Sequence, residues 1–284
     1  AGRLRQSIAA MKSPDVIIVG GGAAGIIAAW KSATLGAKTL LLEKTERLGT
    51  KILISGGGKC NITHDGTVED VLQAFRKNEA QFLRPAMYRF TNSDVLELLT
   101  SRGLEVYTRP DNRIFPLHGT AKDVMKIFES CLREVNVSVL LRTPVKRLIA
   151  AANRIEGVET ANGNFYCQRV VIATGGSSYP KSGTTGDAWK WLRELGHKIV
   201  PIRAALAPMY MEIENQGDLS GISIRDCVLK ARQRGKEIAR WRGDLLFTHR
   251  GVSGPTVLGL RRIVAEPWHI DPVMFEVDLL PDSS

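Results

Sequence analysis

One glycine-rich segment near the N-terminus constrains the fold of this chain more than any other feature. The segment Gly20–Gly25 follows directly after a short β-branched run, 15–19, and precedes an apolar stretch of helical character, 26–35. A second apolar run, 38–42, ends at Glu43. Short runs of this kind are typical of buried parallel strands. The order strand, glycine turn, helix, strand and acid therefore predicts a complete βαβ unit.

Each glycine of this G-x-G-x-x-G pattern has a physical task. Gly20 permits a tight turn, Gly22 lets the backbone approach a pyrophosphate, and Gly25 lets the helix pack closely on the strand. The helix N-terminus offers free N–H groups and a positive dipole end to phosphates. Glu43 can accept hydrogen bonds from ribose hydroxyls and disfavours a 2′-phosphate. The sequence therefore predicts a Rossmann-like α/β domain that binds FAD or NAD.

Three further segments favour FAD as this dinucleotide. Arg47 and Gly49 follow the acid closely, as in FAD proteins that resemble glutathione reductase. A second glycine-rich loop, 54–61, comes too soon after the first to open a separate domain. The predicted strand 170–172 runs into an Ala-Thr-Gly-Gly turn at 173–176, which is typical of such FAD domains.

The same segments resemble a bacterial family of NAD(P)/FAD-dependent oxidoreductases that includes aminoacetone oxidase-like and BaiN-like proteins. The resemblance rests on the segments 51–61, 113–116, 246–255 and 278–281. It implies a glutathione-reductase-like FAD domain and a second, β-rich insert domain that covers the substrate cavity. It also implies that family members continue well beyond this sequence with a segment that closes over the flavin. We therefore expect the isoalloxazine side of the site to be incomplete here.

The resemblance also implies which residues form the site. Contacts with FAD are expected from Gly20, Gly22, Ala23, Ala24, Gly25, Glu43, Lys44, Arg47, Gly49, Lys51, Gly57, Gly58, Asn61, Val145, Thr174 and Gly175. Catalytic roles are expected for Lys59, Cys60 and His249. Lys59 can stabilise negative charge on a reduced flavin, and Cys60 can tune the flavin or react with substrate. The alternatives stay open: a surface cation, a small packed residue and a structural histidine.

Three regions follow from these patterns: a basic N-terminal arm (1–13), a FAD-binding domain (14–196) and a β-rich substrate domain (197–284). Within the FAD-binding domain, helices are predicted at 68–77, 93–101, 122–135 and 188–195, and meander strands at 143–151 and 154–160. In the β-rich domain, strands are predicted at 206–212, 222–232 and 273–279.

The charge of the chain is strongly basic, with 39 Lys and Arg against 29 Asp and Glu and a net charge of +10. Ten of the basic residues fall between Arg225 and Arg262, where only three acids occur. Such a cluster attracts nucleic acid, anionic membrane or an anionic substrate. The alternative is a solvated basic face, because no aromatic pattern of a known nucleic-acid module accompanies the cluster.

The four cysteines and the hydropathy exclude several classes of protein. The cysteines form no C-x-x-C pair and have no histidine at metal-ligand spacing, which argues against a zinc site, a disulfide scaffold and a dithiol reductase. The longest uncharged run, 16–30, is shorter than the roughly 20 residues that a membrane helix needs. We therefore predict a cytoplasmic protein without a metal or a membrane helix.

Together these observations predict a FAD-dependent oxidoreductase. It would act on a small organic substrate and pass electrons to oxygen or exchange them with NAD(P)H as co-substrate. Two alternatives remain: a flavin-dependent RNA-modifying protein, suggested by the basic cluster, and a non-enzymatic nucleotide-binding fragment that needs a partner chain. The sequence leaves the substrate, the electron acceptor and the oligomeric state open.

Overall fold

The computed structural model describes residues 13–203, 205–211, 216–265, 267 and 270–282. The chain divides into two compact units, Ala1–Lys198 and Ile199–Ser284, called the first and second unit below. The predicted basic arm lies outside the described residues except for Ser13, and so does the end of the predicted strand 206–212.

The first unit contains ten strands and seven helices among its described residues. The strands are β1 (Val16–Val19), β2 (Thr39–Leu42), β3 (Thr63–His64), β4 (Val106–Thr108), β5 (Arg113–Pro116), β6 (Ser138–Leu140), β7 (Val145–Ala151), β8 (Arg154–Thr160), β9 (Gly163–Tyr166) and β10 (Arg169–Ile172). The helices are α1 (Ala23–Thr34), α2 (Thr50–Ile54), α3 (Val68–Gln73), α4 (Lys77–Arg89), α5 (Asn92–Thr100), α6 (Ala121–Glu134) and α7 (Asp187–Glu194). Two 3₁₀ turns, Ser55–Gly58 and Pro180–Ser182, join some of these elements.

The central sheet of the first unit is parallel and has the strand order β10-β1-β2-β6. This is the strand order of a Rossmann fold. The chain adds β2 and β6 on one side of β1 and then returns to add β10 on the other side. The residues of β1 alternate between two cores: Ile18 packs with α1 and α6, and Ile17 packs with the meander β7-β8-β9. Both faces are covered, which explains why β1 is apolar throughout.

Local sequence signals explain the starts of three helices. Thr67, Thr91 and Thr120 each cap a helix through a reciprocal pair of hydrogen bonds with an aspartate three residues later. One helix, Lys77–Arg89, lies where the sequence indicated none beyond residue 77. It has no buried residue and contains Pro85, so its sequence carries a weak helical signal.

The second unit is an antiparallel sheet covered by a helix. Its strands are β11 (Met209–Tyr210), β12 (Ser223–Gln233), β13 (Lys236–Thr248), β14 (Gly251–Ser253) and β15 (Met274–Asp278), in the order β11-β14-β13-β12-β15. Its helices are α8 (Gln216–Leu219) and α9 (Pro255–Val264). Arg234 and Gly235 both have positive φ and form the two-residue turn between β12 and β13. Val257, Leu260 and Val264 of α9 pack on the sheet.

The α/β fold with a β-rich second region agrees with the prediction from the sequence. The long strand β13 and the helix α9 were not anticipated, because their residues had been interpreted only as a motif. In the part of the chain that the structure describes, every helix is too short or too polar to cross a bilayer.

Candidate functional site

A cavity of about 970 Å³ opens in the first unit at the carboxyl ends of β1, β2 and β10. Its volume lies at the upper end of the range for small-molecule and cofactor sites. The place is the crevice beside β1 where the strand order reverses, which is where open α/β sheets bind ligands. Backbone of the glycine turn forms one part of the wall, and apolar side chains such as Leu99 and Phe128 form another.

The glycine turn has the geometry that its sequence predicted. Gly20 has a φ of +108°, and a Cβ there would lie 2.5 Å from the carbonyl oxygen of Ala173. A Cβ on Gly25 would lie 1.7 Å from the carbonyl oxygen of Gly20, so α1 approaches the turn too closely for any side chain. A Cβ on Gly22 would have nothing within 4 Å, because Gly22 faces the open cavity. The two packing glycines and the glycine that faces the cavity thus have different tasks.

The N-terminus of α1 is a cradle for an anion. The first hydrogen bond within the helix runs from the N–H of Ile26 to the carbonyl oxygen of Gly22. The N–H groups of the preceding turn therefore have no helical acceptor. Among the described residues, no side chain caps this end and no acid lies in the first turn. Ala23 and Ala24 are small, exposed and part of the cavity wall, so a pyrophosphate fits here.

Glu43 is fixed at the carboxyl end of β2 by the backbone around it. One carboxylate oxygen accepts a hydrogen bond of 2.6 Å from the N–H of Gly21, and the other accepts one of 2.7 Å from the N–H of Thr45. A carboxylate has about four acceptor positions, so both oxygens can still accept from hydroxyls. Glu43 thus ties the glycine turn to β2 and also presents negative charge to the cavity.

Lys44 is held by an ion pair. Its Nζ lies 2.6 Å from Oδ2 of Asp187 and donates a bond of 2.8 Å to Oγ1 of Thr185. Partial burial would raise the pKa of Asp187, but the bonds from Lys44 and Thr185 outweigh it and hold the pKa below its ordinary value. The Lys44–Asp187 pair therefore fixes the start of α7 against the end of β2.

Most of the residues that we predicted to contact the cofactor line this one cavity. They are Gly20, Gly22, Ala23, Ala24, Glu43, Lys44, Lys51, Asn61, Val145, Thr174 and Gly175. The predicted residues that lie outside the lining are Gly25, Arg47, Gly49, Gly57 and Gly58. Gly25 packs beneath the turn, and Gly49 packs against Met125, whose Sδ would lie 2.1 Å from an added Cβ. Arg47 is exposed. Contact of any of these residues with a cofactor stays a prediction.

The second glycine-rich loop is held in an unusual backbone conformation. Gly56, Gly57 and Gly58 have positive φ, and so does Cys60. A Cβ on Gly56 would lie 2.8 Å from the ring of Phe115, a buried residue of β5, which forms the floor of the loop. Four such residues within five positions explain why this segment is so rich in glycine.

The three predicted catalytic residues have different surroundings. Cys60 is buried and lines the cavity, and this burial raises the pKa of its thiol, so the thiol is protonated at neutral pH. Lys59 is exposed and lies outside the lining. His249 is exposed and belongs to the second unit. Their catalytic roles stay predictions.

The wall formed by 182–192 was not predicted as part of the site. Eight of its residues line the cavity: Ser182, Gly183, Thr184, Asp187, Ala188, Trp189, Trp191 and Leu192. The ring of Trp189 packs over Gly186, which has a φ of +75°. The Gly-Thr-Thr-Gly-Asp sequence at 183–187 was visible as a turn, but only the tertiary structure brings it against Lys44 and Thr45.

Ion pairs neutralise part of the basic cluster of the second unit. Five of its ten cations pair with carboxylates: Lys230 with Asp278, Arg232 with Glu276, Arg234 with Asp271, Arg240 with Glu237, and Arg242 with Asp226 and Asp282. Four of these acids lie beyond residue 262, outside the stretch that suggested an excess of charge. The whole second unit has 11 basic and 11 acidic residues. Strand pairing adds acids from β15 and the residues around it to this stretch. Attraction of a polyanion and a solvated basic face both stay predictions.

No group of three or more His, Cys, Asp or Glu side chains within the described ranges is arranged to hold a metal ion. The four cysteines are free thiols.

Comparison with known proteins identifies relatives over most of the chain. A family model described as the HI0933-like protein Rossmann domain matches residues 14–259. A ribosomal RNA dihydrouridine synthase of Haemophilus influenzae is 31% identical over 271 residues, which are 94% of this chain and 64% of the relative. A 3-dehydro-bile acid delta(4,6)-reductase of Clostridium scindens is 29% identical over 269 residues, 93% of this chain and 64% of the relative. The chain thus spans slightly less than two thirds of these curated relatives.

Solved structures of low sequence identity share the fold. A 3-ketosteroid delta1-dehydrogenase from Sterolibacterium denitrificans superimposes with a TM-score of 0.53 and 14% identity, over 79% of this chain and 63% of that one. A flavocytochrome c3 fumarate reductase gives a TM-score of 0.50 and 18% identity, over 79% and 49% of the two chains. These likenesses concern the architecture.

Proposed function

The chain belongs to the HI0933-like Rossmann family, and from this premise we propose that it is a FAD-dependent oxidoreductase. The observation that carries the proposal is the cavity itself. An uncapped helix N-terminus, an open Gly22 and a fixed Glu43 meet at the carboxyl ends of parallel strands. A dinucleotide needs all three: the helix N-terminus donates hydrogen bonds to its phosphates, Gly22 leaves space for them, and Glu43 accepts bonds from a ribose.

In this proposal, different residues of the chain bind different parts of the cofactor. The N–H groups of the first turn of α1 bind the pyrophosphate, and Glu43 accepts bonds from the adenosine ribose. The wall 182–192, held by Lys44 and Asp187, encloses the adenosine end. Bound FAD supplies hydride and electron transfer. Cys60 presents a neutral thiol to the cavity, so it holds a proton and is a poor nucleophile at neutral pH.

Reduction of a carbon–carbon double bond conjugated to a carbonyl group is the proposed reaction. The names of the relatives support it, because dihydrouridine synthase and delta(4,6)-reductase both describe the addition of hydrogen to such a bond. One carbon of the double bond gains a hydride and the other gains a proton. The electrons come from NAD(P)H, or pass to oxygen when the substrate is absent.

Flavin content tests the first step of the proposal. The full chain is purified, and the released chromophore is identified by chromatography as FAD, FMN or neither. The chain stripped of flavin is then titrated with FAD, with NADP⁺ as the matched dinucleotide that carries a 2′-phosphate. We expect stoichiometric FAD and no competition by NADP⁺. A chain that has no affinity for FAD, alone or in excess cofactor, contradicts the proposal and favours a fragment that needs a partner chain.

A uracil base within RNA is a second candidate substrate. The names of the Haemophilus influenzae and Escherichia coli relatives favour it, the latter being 30% identical over 276 residues. The photoreduced protein is mixed without oxygen with cyclohexenone, fumarate, uridine or RNA, and recovery of the oxidised flavin band is followed. RNA recovered from the mixture is digested to nucleosides, and mass spectrometry detects dihydrouridine. Reoxidation by cyclohexenone alone supports a small-molecule enzyme, and dihydrouridine in the RNA supports the second candidate.

A further inference from the structure

A loop at 177–186, called the strap below, crosses the crevice that holds the cavity. It follows β10 and leads into α7, yet it reaches the end of β2: a Cβ on Gly183 would lie 3.0 Å from Cγ2 of Thr45. In the sheet, β1 lies between β10 and β2. The strap therefore crosses the carboxyl end of β1, and three of its residues line the cavity.

The strap keeps its shape through hydrogen bonds within itself. The carbonyl oxygen of Tyr179 accepts bonds from the N–H and the hydroxyl of Ser182, of 2.9 and 2.7 Å, and a bond of 2.9 Å from the hydroxyl of Thr184. The two ends of the strap are close together, because the N–H of Gly186 donates a 3.0 Å bond to the carbonyl oxygen of Gly176. A compact loop of this kind is an Ω-loop, and such loops are frequently functional.

The attachment of the strap to the rest of the first unit is slight. Every residue from 174 to 187 is exposed or half-buried, so no side chain anchors the strap in the core. Across the crevice, the described structure shows one hydrogen bond to the strap, of 2.8 Å from Nζ of Lys44 to Oγ1 of Thr185. Segments with few buried contacts open at a lower free energy than the core does.

Glycines stand at both ends of the strap. Gly175 has a φ of +71° and Gly186 has a φ of +75°, and Gly176 follows the first of them. The elements on either side are fixed, since β10 pairs with β1 and Trp191 of α7 is buried in the core that β1 shares. A loop that keeps its shape between two fixed elements turns where the backbone is least restricted, which here is at the glycines.

We infer that the strap is a lid over the adenosine end of the cavity, which turns about its terminal glycines and is latched by the bond from Lys44 to Thr185. The inference rests on the proposed function, because FAD is the ligand that enters and leaves beneath the strap. Lys44 keeps its ion pair with Asp187 when the lid opens, since Asp187 lies beyond the glycines in α7. Opening of the lid then limits the rate of cofactor exchange.

A reversible disulfide tests the lid. Cβ atoms at positions 45 and 183 would be at most about 4.5 Å apart, because one bond separates Cβ from Cγ2 of Thr45, and a disulfide spans such a distance. The variant carries Thr45→Cys and Gly183→Cys, and peptide mass spectrometry identifies the link. Each single variant is a matched control, because it has the same local change, including the strain at a φ of +90° for Gly183, without the link.

Exchange of bound FAD with radiolabelled FAD is followed with and without a phosphine reductant. The oxidised double variant should exchange FAD at least about tenfold more slowly than the same protein after reduction, because the linked strap cannot move away from Thr45. Each single variant should exchange FAD equally fast in both conditions. Equal rates for the linked and the reduced protein overturn the inference. A disulfide that does not form under oxidation also overturns it, since the strap would not contact Thr45.

The latch is tested separately, in the chain without flavin. Position 183 is half-buried, so the reaction of a thiol introduced by Gly183→Cys with a disulfide reagent reports how often the strap opens. Addition of Thr185→Val removes the acceptor of Lys44, whereas Thr185→Ser keeps it. The valine variant should react roughly threefold faster or more, because a bond from a charged donor is lost, and the serine variant should react like the parent. A valine variant that reacts like the parent contradicts the latch.

Failure of the proposed function is distinguishable from failure of the lid. A chain that binds no FAD, but whose thiol reacts faster after Thr185→Val, retains the latched strap and contradicts the proposed cofactor. A chain that binds FAD and exchanges it equally fast with and without the disulfide retains the proposed cofactor and loses the lid.

Discussion

Gly22→Val and Gly25→Ala should separate cofactor binding from folding, although the two glycines stand three residues apart in one turn. A Cβ on Gly22 meets nothing within 4 Å, and the backbone there has a φ of −80° and a ψ of −173°, which any residue adopts. Valine at this helix N-cap costs about 1 kcal/mol or less. The melting temperature should therefore fall by no more than about 4 °C.

Unlike the melting temperature, the affinity for the dinucleotide should fall strongly. The valine methyl groups enter the space next to the free N–H groups of α1, so one or two bonds to phosphate are lost. Each charge-assisted bond contributes about 1.5–3 kcal/mol, so the Kd for FAD should rise by about tenfold or more. Isothermal titration of the flavin-free protein measures this directly.

Gly25→Ala serves as the contrasting variant. Its Cβ would lie 1.7 Å from a backbone oxygen, which cannot rotate away, so α1 must shift. Overpacking of this kind costs about 3 kcal/mol, which lowers the melting temperature by roughly 6–12 °C. If Gly22→Val binds FAD like the wild type, the phosphates lie elsewhere. If Gly25→Ala is as stable as the wild type, the close approach of helix and turn is incorrect.

Three further predictions concern the cavity wall. Glu43→Ala should weaken FAD binding by about 1–3 kcal/mol in a titration, because a charge-assisted acceptor for the ribose is lost and Gly21 loses its bond; unchanged affinity argues against contact with the ribose. Lys44→Met and Asp187→Asn should each speed FAD release, and the double variant should add little, with a coupling of up to about 1 kcal/mol for this part-exposed pair; fully additive effects contradict a direct pair. Because the bonds from Lys44 and Thr185 hold the pKa of Asp187 below its ordinary value, the stabilisation is present at neutral pH, persists in mild acid and is lost as the pH falls through that lowered value, so FAD release should not accelerate between pH 8 and about 5. Cys60 should react with iodoacetamide more slowly than a free cysteine at pH 7.5, since burial raises the pKa of its thiol; fast modification in the folded protein would show a thiolate.

The local pattern of the first βαβ unit could be predicted in detail. The turn at Gly20–Gly25, the helix after it and the acid at the end of β2 depend on residues that are adjacent in sequence. A strand that is buried on both faces must be apolar throughout, and a turn that touches backbone must be glycine. Such constraints act within about thirty residues, so the sequence displays them directly.

Contacts between residues far apart in the chain could not be predicted from the sequence. Asp187 is 143 residues from Lys44, and no local pattern indicates that the two side chains form an ion pair. The same holds for Gly56 and the ring of Phe115. A turn-rich segment at 182–187 was visible, but its place on the cavity wall depends on how β10 lies beside β1.

The distribution of charge shows most clearly what the sequence determines and what only the tertiary structure determines. The sequence determined the net charge of +10, the dinucleotide turn and the family resemblance. Only the tertiary structure decided where that charge acts. In the second unit, β15 lies beside β12 and places Glu276 and Asp278 against Arg232 and Lys230. The effect of a charge depends on distance in space, so folding neutralises part of the charge in the stretch that is most basic along the chain.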